Sequence, residues 1–311
     1  MTISILLATY NGEKYILEQL NSLINQTRSF DELVIVDDGS CDQTLKIIEN
    51  FIEDNRLENK SKVIINEKNK GWKSNFIEGI DQTTGDIIFF CDQDDIWFLN
   101  KIEVFCEKFE ENPDINVVAS HETLWNGTDY QDYHTKPDRY RIPELDDKGN
   151  DFIIQCPGCA MAIRRAYVNF ILPHYKTGWA HDDFIWKMSA IDKCMLFLDD
   201  TSILHRIHDT NASRIKRNLN SSINDVINDI RVIEILCNYI EETRDNTAMI
   251  SLLSYLNKRK SLCELRREFL ENHKVSTFLK LGMTGLQIYA KKRYWIGDFL
   301  LVHGYRDEKC V

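Results

Sequence analysis

The chain has 311 residues, 43% of them hydrophobic and 28% charged, with a formal net charge of −11. That balance excludes a disordered polar chain, and no apolar run approaches the roughly 20 residues of a membrane span. Residues 213–311 hold 17 Lys+Arg and 12 Asp+Glu, so an acidic body precedes a basic tail; this argues against a nucleic-acid groove in the body and leaves the tail able to meet an anionic surface.

The opening "MTISILLATYNGEKY" lacks the basic start and the cleavage site of a secretory signal, so a cytoplasmic location is expected. "ISILLAT" predicts a strand and "EKYILEQLNSLINQ" a helix, with apolar residues at Ile16, Leu17, Leu20, Leu23 and Ile24. The alternation continues with strand "ELVIVDD", helix "CDQTLKIIENFIED", strand "SKVIINE", helix "KSNFIEGIDQ", strand "DIIFFCD" and helix "FLNKIEVFCEKF". Continuous apolar strands between amphipathic helices predict a doubly wound α/β layout with a mainly parallel sheet, which places ligands at the carboxyl ends of the strands. "ATYNG", "VDDGS" and "CDQDD" fall at three of those ends. No GxGxxG follows the first strand, so dinucleotide binding is not indicated.

After Pro113 the pattern loosens. "INVVASH" predicts a strand, residues 121–150 a long polar excursion, "CAMAIRR" a strand, "HDDFIWKMSAI" a helix, and "MLFLDD" and "SILHRIH" two strands. The nine cysteines are odd in number and scattered, so they read as reduced and mostly buried; "CPGC" (156–159) has no second pair and reads as a strand entry with two buried thiols. From Ser221 the chain reads as helical. The expected division is 1–215 for the α/β domain and 216–311 for a C-terminal helical region serving tail packing, oligomerisation or membrane association. Its stretch from Leu286 to Arg306 sets Lys291, Lys292 and Arg293 beside Tyr289, Tyr294, Trp295, Phe299 and Leu300, which suits either an interfacial helix or packing against the protein or a second subunit.

Asp92, Asp94 and Asp95 lie within four residues after an apolar strand. Carboxylates this close repel one another unless a cation or solvent intervenes. A DxD at a strand end suits Mg²⁺ or Mn²⁺ bound to a nucleoside diphosphate; alone it would read equally as a solvated helix cap. "LLATYNGEKYILEQLNSLINQT", "ELVIVDDGSCDQTLKII", "GDIIFFCDQDDIWFLNKIE" and, later, "PGCAMAIRRAY", "HDDFIW" and "HRIHDTNAS" resemble, in order, the signatures of family-2 glycosyltransferases of the GT-A fold. The "DQDDIW" form is similar to bacterial rhamnosyltransferases of polysaccharide biosynthesis.

The resemblance implies that Thr9, Tyr10 and Asn11 line the nucleotide pocket and that Asp38 accepts from the pyrimidine ring N–H. It also implies that Asp92 faces the ribose and metal region and that Lys73 and Arg206 reach the diphosphate, the alternatives being a solvated Lys73 and an Arg206 paired with a nearby acid. Asp94 and His208 would bind the metal, Asp182 would be the catalytic base, and Asp95 and Trp97 would shape the loop. The implied activity is inverting transfer of a sugar from a dTDP- or UDP-sugar, dTDP-L-rhamnose first, to a glycan acceptor, lipid-linked or free. It would run in the cytoplasm or on the inner face of its membrane, with Mg²⁺ or Mn²⁺ and without nucleic acid. Two other readings stand beside it. A metal-dependent nucleotidyltransferase would need a glycine-rich basic loop where "TYNGEKY" stands; a non-catalytic nucleotide- or carbohydrate-binding protein would not need Asp38, Asp94, Asp182 and His208 together.

Overall fold

The computed structural model describes residues 1–127, 133–208, 218–244, 246–289 and 292–304. Two compact units divide the chain: Met1–Glu144 with Ile154–Asp209, and Leu145–Ile153 with Thr210–Val311. The nine residues Leu145–Ile153 thus belong with the C-terminal helices, although in sequence they interrupt the first unit.

The first unit is one nine-stranded sheet with helices. Its strands are β1 (Ile3–Thr9), β2 (Glu32–Asp37), β3 (Ser61–Ile65), β4 (Ile87–Cys91), β5 (Ile96–Trp97), β6 (Val117–Trp125), β7 (Tyr140–Arg141), β8 (Met161–Arg164) and β9 (Met195–Arg206). Its helices are α1 (Ile16–Ile24), α2 (Thr44–Asp54), α3 (Trp72–Ile80), α4 (Lys101–Glu111), α5 (Arg165–Ile171) and α6 (His181–Asp192). The order is β3-β2-β1-β4-β8-β6-β9-β5, with β7 on β9. Strands β3, β2, β1 and β4 run parallel, as do β6 and β9, while β8, β5 and β7 pair antiparallel. All residues of β1 and β4 are buried, as strands covered on both faces require.

The chain winds outward from β1 to β3, then returns to β4 on the other side of β1. That reversal opens a crevice at the carboxyl ends of β1 and β4, where ligands of such sheets bind. Helix α3 reaches the sheet closely at Gly79, where a Cβ would stand 2.6 Å from Leu6 Cδ1.

The sequence predicted two strands over 195–208; the structure forms one, β9, of 12 residues. The polar "DDT" that suggested a break is an irregularity within it: against β6 the register jumps from Ser120↔Leu198 to His121↔Thr201. The displaced Asp200 accepts from Thr135 Oγ1 at 3.1 Å and so anchors the end of the polar excursion. The described part of that excursion is less irregular than the sequence suggested, since β6 runs on to Trp125 and β7 pairs with β9.

The second unit is built on α7 (Leu219–Thr243) and α8 (Asn246–Asn272), followed by α9 (Val275–Thr284) and α10 (Arg293–Val302). Asn218 and Ser221 cap α7 reciprocally. Tyr239 and Ile240 of α7 and Leu256 and Phe269 of α8 are fully buried. Phe278 of α9 meets Phe269 at 5.3 Å and stacks on Trp295 of α10 at 4.3 Å. One ion pair lies inside this packing: Asp298, 0% exposed, accepts from Arg266 Nε at 2.8 Å and from Tyr289 Oη at 2.8 Å. No helix among the described residues is long and apolar enough to cross a membrane.

Removing one partner of a buried, hydrogen-bonded pair strands the other charge. Asp298→Ala is therefore expected to lower unfolding free energy by about 3–5 kcal/mol in urea titration. A loss below about 1 kcal/mol would show that solvent reaches Arg266.

Candidate active site

Thr9 ends β1, and its hydroxyl donates to Asp37 Oδ2 at 2.7 Å. Asp37 also accepts from Gly39 N (3.1 Å), Ser40 N (2.7 Å) and Ser40 Oγ (2.6 Å), folding the "DDGS" turn over the strand end. Gly39 sits at φ +83°, a conformation L side chains rarely adopt. Asn11 ties into the same turn by accepting from Cys41 N at 2.8 Å. Gln93 brackets Tyr10, accepting from its N–H at 2.8 Å and donating to its carbonyl at 3.0 Å. Thr9 and Asn11 thus shape the loop through their own polar atoms, while the Tyr10 side chain projects outward at 45% exposure.

Asp38 is 2% exposed. It accepts from Asn66 Nδ2 (3.0 Å), Lys70 N (2.9 Å) and Gly71 N (2.8 Å), and so holds the loop that enters α3. Asp42, just ahead of α2, accepts from Thr44 N at 3.0 Å. Lys73, expected at the diphosphate, instead donates to the Gly178 carbonyl at 3.0 Å, in the segment before α6.

The acidic cluster begins where β4 stops. Asp92 is pushed up to about 8, first by burial and then by repulsion from Asp95 and Asp94. Burial and Asp95 also raise Asp94, against the opposing pull of His208. Asp94 Oδ2 and His208 Nε2 lie 2.7 Å apart, joining residues separated by 114 positions. Asp95 is 0% exposed and faces inward: it accepts from Arg206 N at 3.0 Å and lies 3.4 Å from His205 Nδ1. The Asp95 carboxylate raises His205 to about 9. Cys159 joins Asp95 and His205, with donor atoms within 4.8 Å of one another.

Two cations hold this end of the sheet together. Lys101 is fully buried, donates to the Cys159 carbonyl and lies 3.7 Å over the Trp97 ring. Burial lowers it to about 8, against the opposing pull of nearby groups including Asp95 and Asp92. Arg206 makes the pairing with a nearby acid that was one of its two expected roles. Its Nε donates to the Asp94 carbonyl at 2.8 Å, it pairs with Glu18 at 2.5 Å, and it stacks on Tyr15 and Trp125 at 4.7 and 4.3 Å. It therefore clamps the Asp94 backbone.

Helix α6 starts at His181. Asp182 is raised to about 6, chiefly by burial, and accepts from Asp183 N at 2.8 Å. Asp183 is committed to Trp179 Nε1 at 2.7 Å and to Lys187. His181 turns the other way, 2% exposed and packed on Phe76 and Phe90 at 4.1 and 4.9 Å. Burial lowers it to about 3, so it is neutral, and neither ring nitrogen has a hydrogen-bond partner. The "CPGC" glycine makes room for it: a Cβ on Gly158 would stand 2.2 Å from His181 Nε2. Cys156 and Cys159 are free and buried, as expected.

The sequence missed Lys101, Gln93 and the Asp95–His205 pairing. Their signal was present only as polar residues inside or beside recognised motifs, without any indication of which way they pointed.

A methyl at Gly158 must displace His181, which packed aromatics hold in place. Gly158→Ala is expected to cost about 1–3 kcal/mol of stability and to lower turnover by shifting Asp182. Thermal unfolding and steady-state rates check this; wild-type values for both would show that His181 yields freely.

The model of "Glycosyl transferase family 2" matches residues 4–170. A Nostoc protein described as an uncharacterized glycosyltransferase is 29% identical over 224 residues, 68% of this chain and 66% of its own length. The dTDP-rhamnosyl transferase RfbG of Shigella flexneri is 30% identical over 224 residues, 66% of this chain and 72% of its own length. Against three other curated relatives the match spans 16% to 39% of their length and 32% to 38% of this chain. Among solved structures, residues 1–349 of Staphylococcus aureus TarS with UDP-GlcNAc superpose at a TM-score of 0.59 and 21% identity, covering 98% of this chain and 92% of that one. A mannosyltransferase of Pyrobaculum calidifontis with GDP-Man and Mn²⁺ superposes at 0.57 and 14% identity, covering 97% and 84%. The fold is of the GT-A type, and the chain belongs to glycosyl transferase family 2.

Proposed function

We propose that the chain is a metal-dependent inverting glycosyltransferase that moves a sugar from a nucleoside diphosphate sugar to a glycan hydroxyl in bacterial cell-surface polysaccharide synthesis. The observation that carries this reading is the meeting of Asp94 and His208 at 2.7 Å beside the crevice where strand order reverses. Asp92 and Asp94, both raised by burial and then by repulsion from Asp95, are an acidic pair short of positive charge. Carboxylate oxygens with one imidazole nitrogen fit Mg²⁺ or Mn²⁺, and Asp94 and His208 would hold it. Such an ion, when bound, neutralises charge developing on the departing diphosphate.

This chain's own residues supply the rest. The turn formed by Thr9, Asn11, Asp37 and Ser40 gives the nucleotide a rigid floor, and the exposed Tyr10 ring offers it an aromatic face. Asp38 holds the Asn66–Gly71 loop beside the same floor, where the base would lie. Asp182 takes the acceptor proton as the hydroxyl attacks. Its elevation to about 6 suits a base that must also release that proton near neutral pH. Asp183, bound to Trp179 and Lys187, is the poorer candidate. A single base on the attacking side and a leaving group on the other invert the anomeric centre. A cleft of about 370 Å³ lined by Tyr140, Arg141, Gln155 and Phe197, among others, offers the acceptor an aromatic and polar surface.

For the donor, the "DQDDIW" form and the RfbG match favour dTDP-L-rhamnose. The TarS match, 40% identical over 104 residues to a poly(ribitol-phosphate) β-N-acetylglucosaminyltransferase, favours a UDP-sugar as the second reading. Both are tested by release of dTDP or UDP from the respective donors with Mn²⁺.

Asp94→Asn is expected to abolish turnover while thermal unfolding stays near wild type; activity of this variant in the presence of EDTA contradicts the metal assignment. The wild-type kcat/KM should fall tenfold per pH unit below about 6, where Asp182 protonates. Asp182→Asn should lose about 10²–10⁴-fold in kcat and the acid limb with it, while retaining donor binding. Retention of the limb would move the base elsewhere.

A further inference from the structure

The stretch from Leu286 to Arg306, which the sequence offered as interfacial or as packing, turns inward over much of its described part. Ile288 and Tyr289 are 5% and 6% exposed, and Trp295 and Phe299 pack on Phe278 at 4.3 and 4.8 Å. Residues 290, 291, 305 and 306 lie outside the described residues. Those aromatic residues serve the helical unit's own core.

What this packing leaves outside is one element earlier. Helix α9 buries Thr277 and Leu281. Its opposite side carries Val275, Leu279 and Met283 at 51%, 55% and 79% exposure. Spacing of four residues aligns the three in one stripe along the ten-residue helix. Single exposed apolar residues are ordinary, but an aligned apolar row on one helix face has a solvent cost that a partner would relieve.

The surrounding charge says which partner. Between Glu271 and Asp307 the sequence contains one acidic residue, Asp298. It is 0% exposed and paired with Arg266, so it contributes no negative surface. Lys274 and Lys280 on and beside α9, and Lys292 and Arg293 at the start of α10, are all exposed. The described surface of residues 272–304 is therefore apolar and basic, with Lys274 lying 3.9 Å from Glu268 of α8. A second copy of the same segment would set like charges together, and three side chains fall far short of the roughly 800 Å² per partner of a stable protein interface. A bilayer surface asks only that a short apolar row enter the headgroup region while bases meet anionic lipid.

We propose that α9 is an interfacial helix that seats Val275, Leu279 and Met283 in a bilayer surface bearing anionic headgroups, with Lys274, Lys280, Lys292 and Arg293 around them. This site is separate from the sugar-transfer reading and stands without it. The test is flotation of the full chain with phosphatidylcholine vesicles, with and without phosphatidylglycerol. Binding is expected only with phosphatidylglycerol and is expected to weaken in high salt. Leu279→Ser/Met283→Ser and Lys280→Glu/Lys292→Glu should each weaken it by at least about tenfold, with unfolding temperatures near wild type because all four side chains are exposed. Absence of phosphatidylglycerol-dependent binding, or equal binding by these variants, overturns the proposal. A wild-type dimer that the Leu279→Ser/Met283→Ser variant converts to monomer, without lipid binding by either, assigns the stripe to a second copy and overturns it as well.

Discussion

Negative charge concentrated at the end of β4 is the constraint around which the first unit is arranged. Asp92, Asp94 and Asp95 follow a strand that is buried throughout, so water screens them poorly. Each is answered by a different group. Asp95 meets the Arg206 N–H and His205 from the far end of β9, Asp94 meets His208, and Lys101 sits fully buried nearby on the Trp97 face. The result is an inner pair that is fixed and an outer pair whose proton affinity is raised. Carboxylates kept this close and under-compensated are what the proposed cation would relieve.

The strand order makes this possible. β9 brings His205, Arg206 and His208 to the loop after β4, although more than 100 residues separate them in sequence. β5 pairs with β9 at Ile96↔Leu204 and Trp97↔Ile203, and the same register continued brings Asp95 to His205 and Asp94 to Arg206, with His208 reaching Asp94 from just beyond the strand. The Arg206 clamp on the Asp94 carbonyl then holds the loop, and its pairing with Glu18 ties the same loop to α1. Burial of the neutral His181 behind Gly158 orients the first turn of α6, which carries Asp182.

Much of the α/β frame was legible because its signals are local: apolar runs for strands, 3.6-residue periodicity for helices, and polar motifs at strand ends. The Asp94–His208 meeting was legible only through resemblance to a family, since no local pattern links "DQDD" to "HRIH". Direction was the illegible quantity. By type Arg206 suited either a diphosphate or a nearby acid and Lys73 either a diphosphate or solvent; here Arg206 pairs with Glu18 and Lys73 donates to the Gly178 carbonyl. Lys101 read as one charge on an amphipathic helix, and nothing nearby marked it as fully buried. The "DDT" in β9 read as a turn because an irregular register inside a strand has the same composition as a loop. In the tail, aromatic residues drew attention by type, while exposure fell to the plainer Val275, Leu279 and Met283.

The central claim is that the crevice binds a divalent ion together with a nucleoside diphosphate, each strengthening the other. The most direct measurement is titration of free Mn²⁺ by electron paramagnetic resonance, with and without dTDP or UDP. The account predicts one saturable Mn²⁺ per chain whose affinity rises when a nucleoside diphosphate is present, and a matching rise in nucleotide affinity when Mn²⁺ is present. Mn²⁺ binding indifferent to both nucleotides, or nucleotide binding indifferent to Mn²⁺, would contradict it.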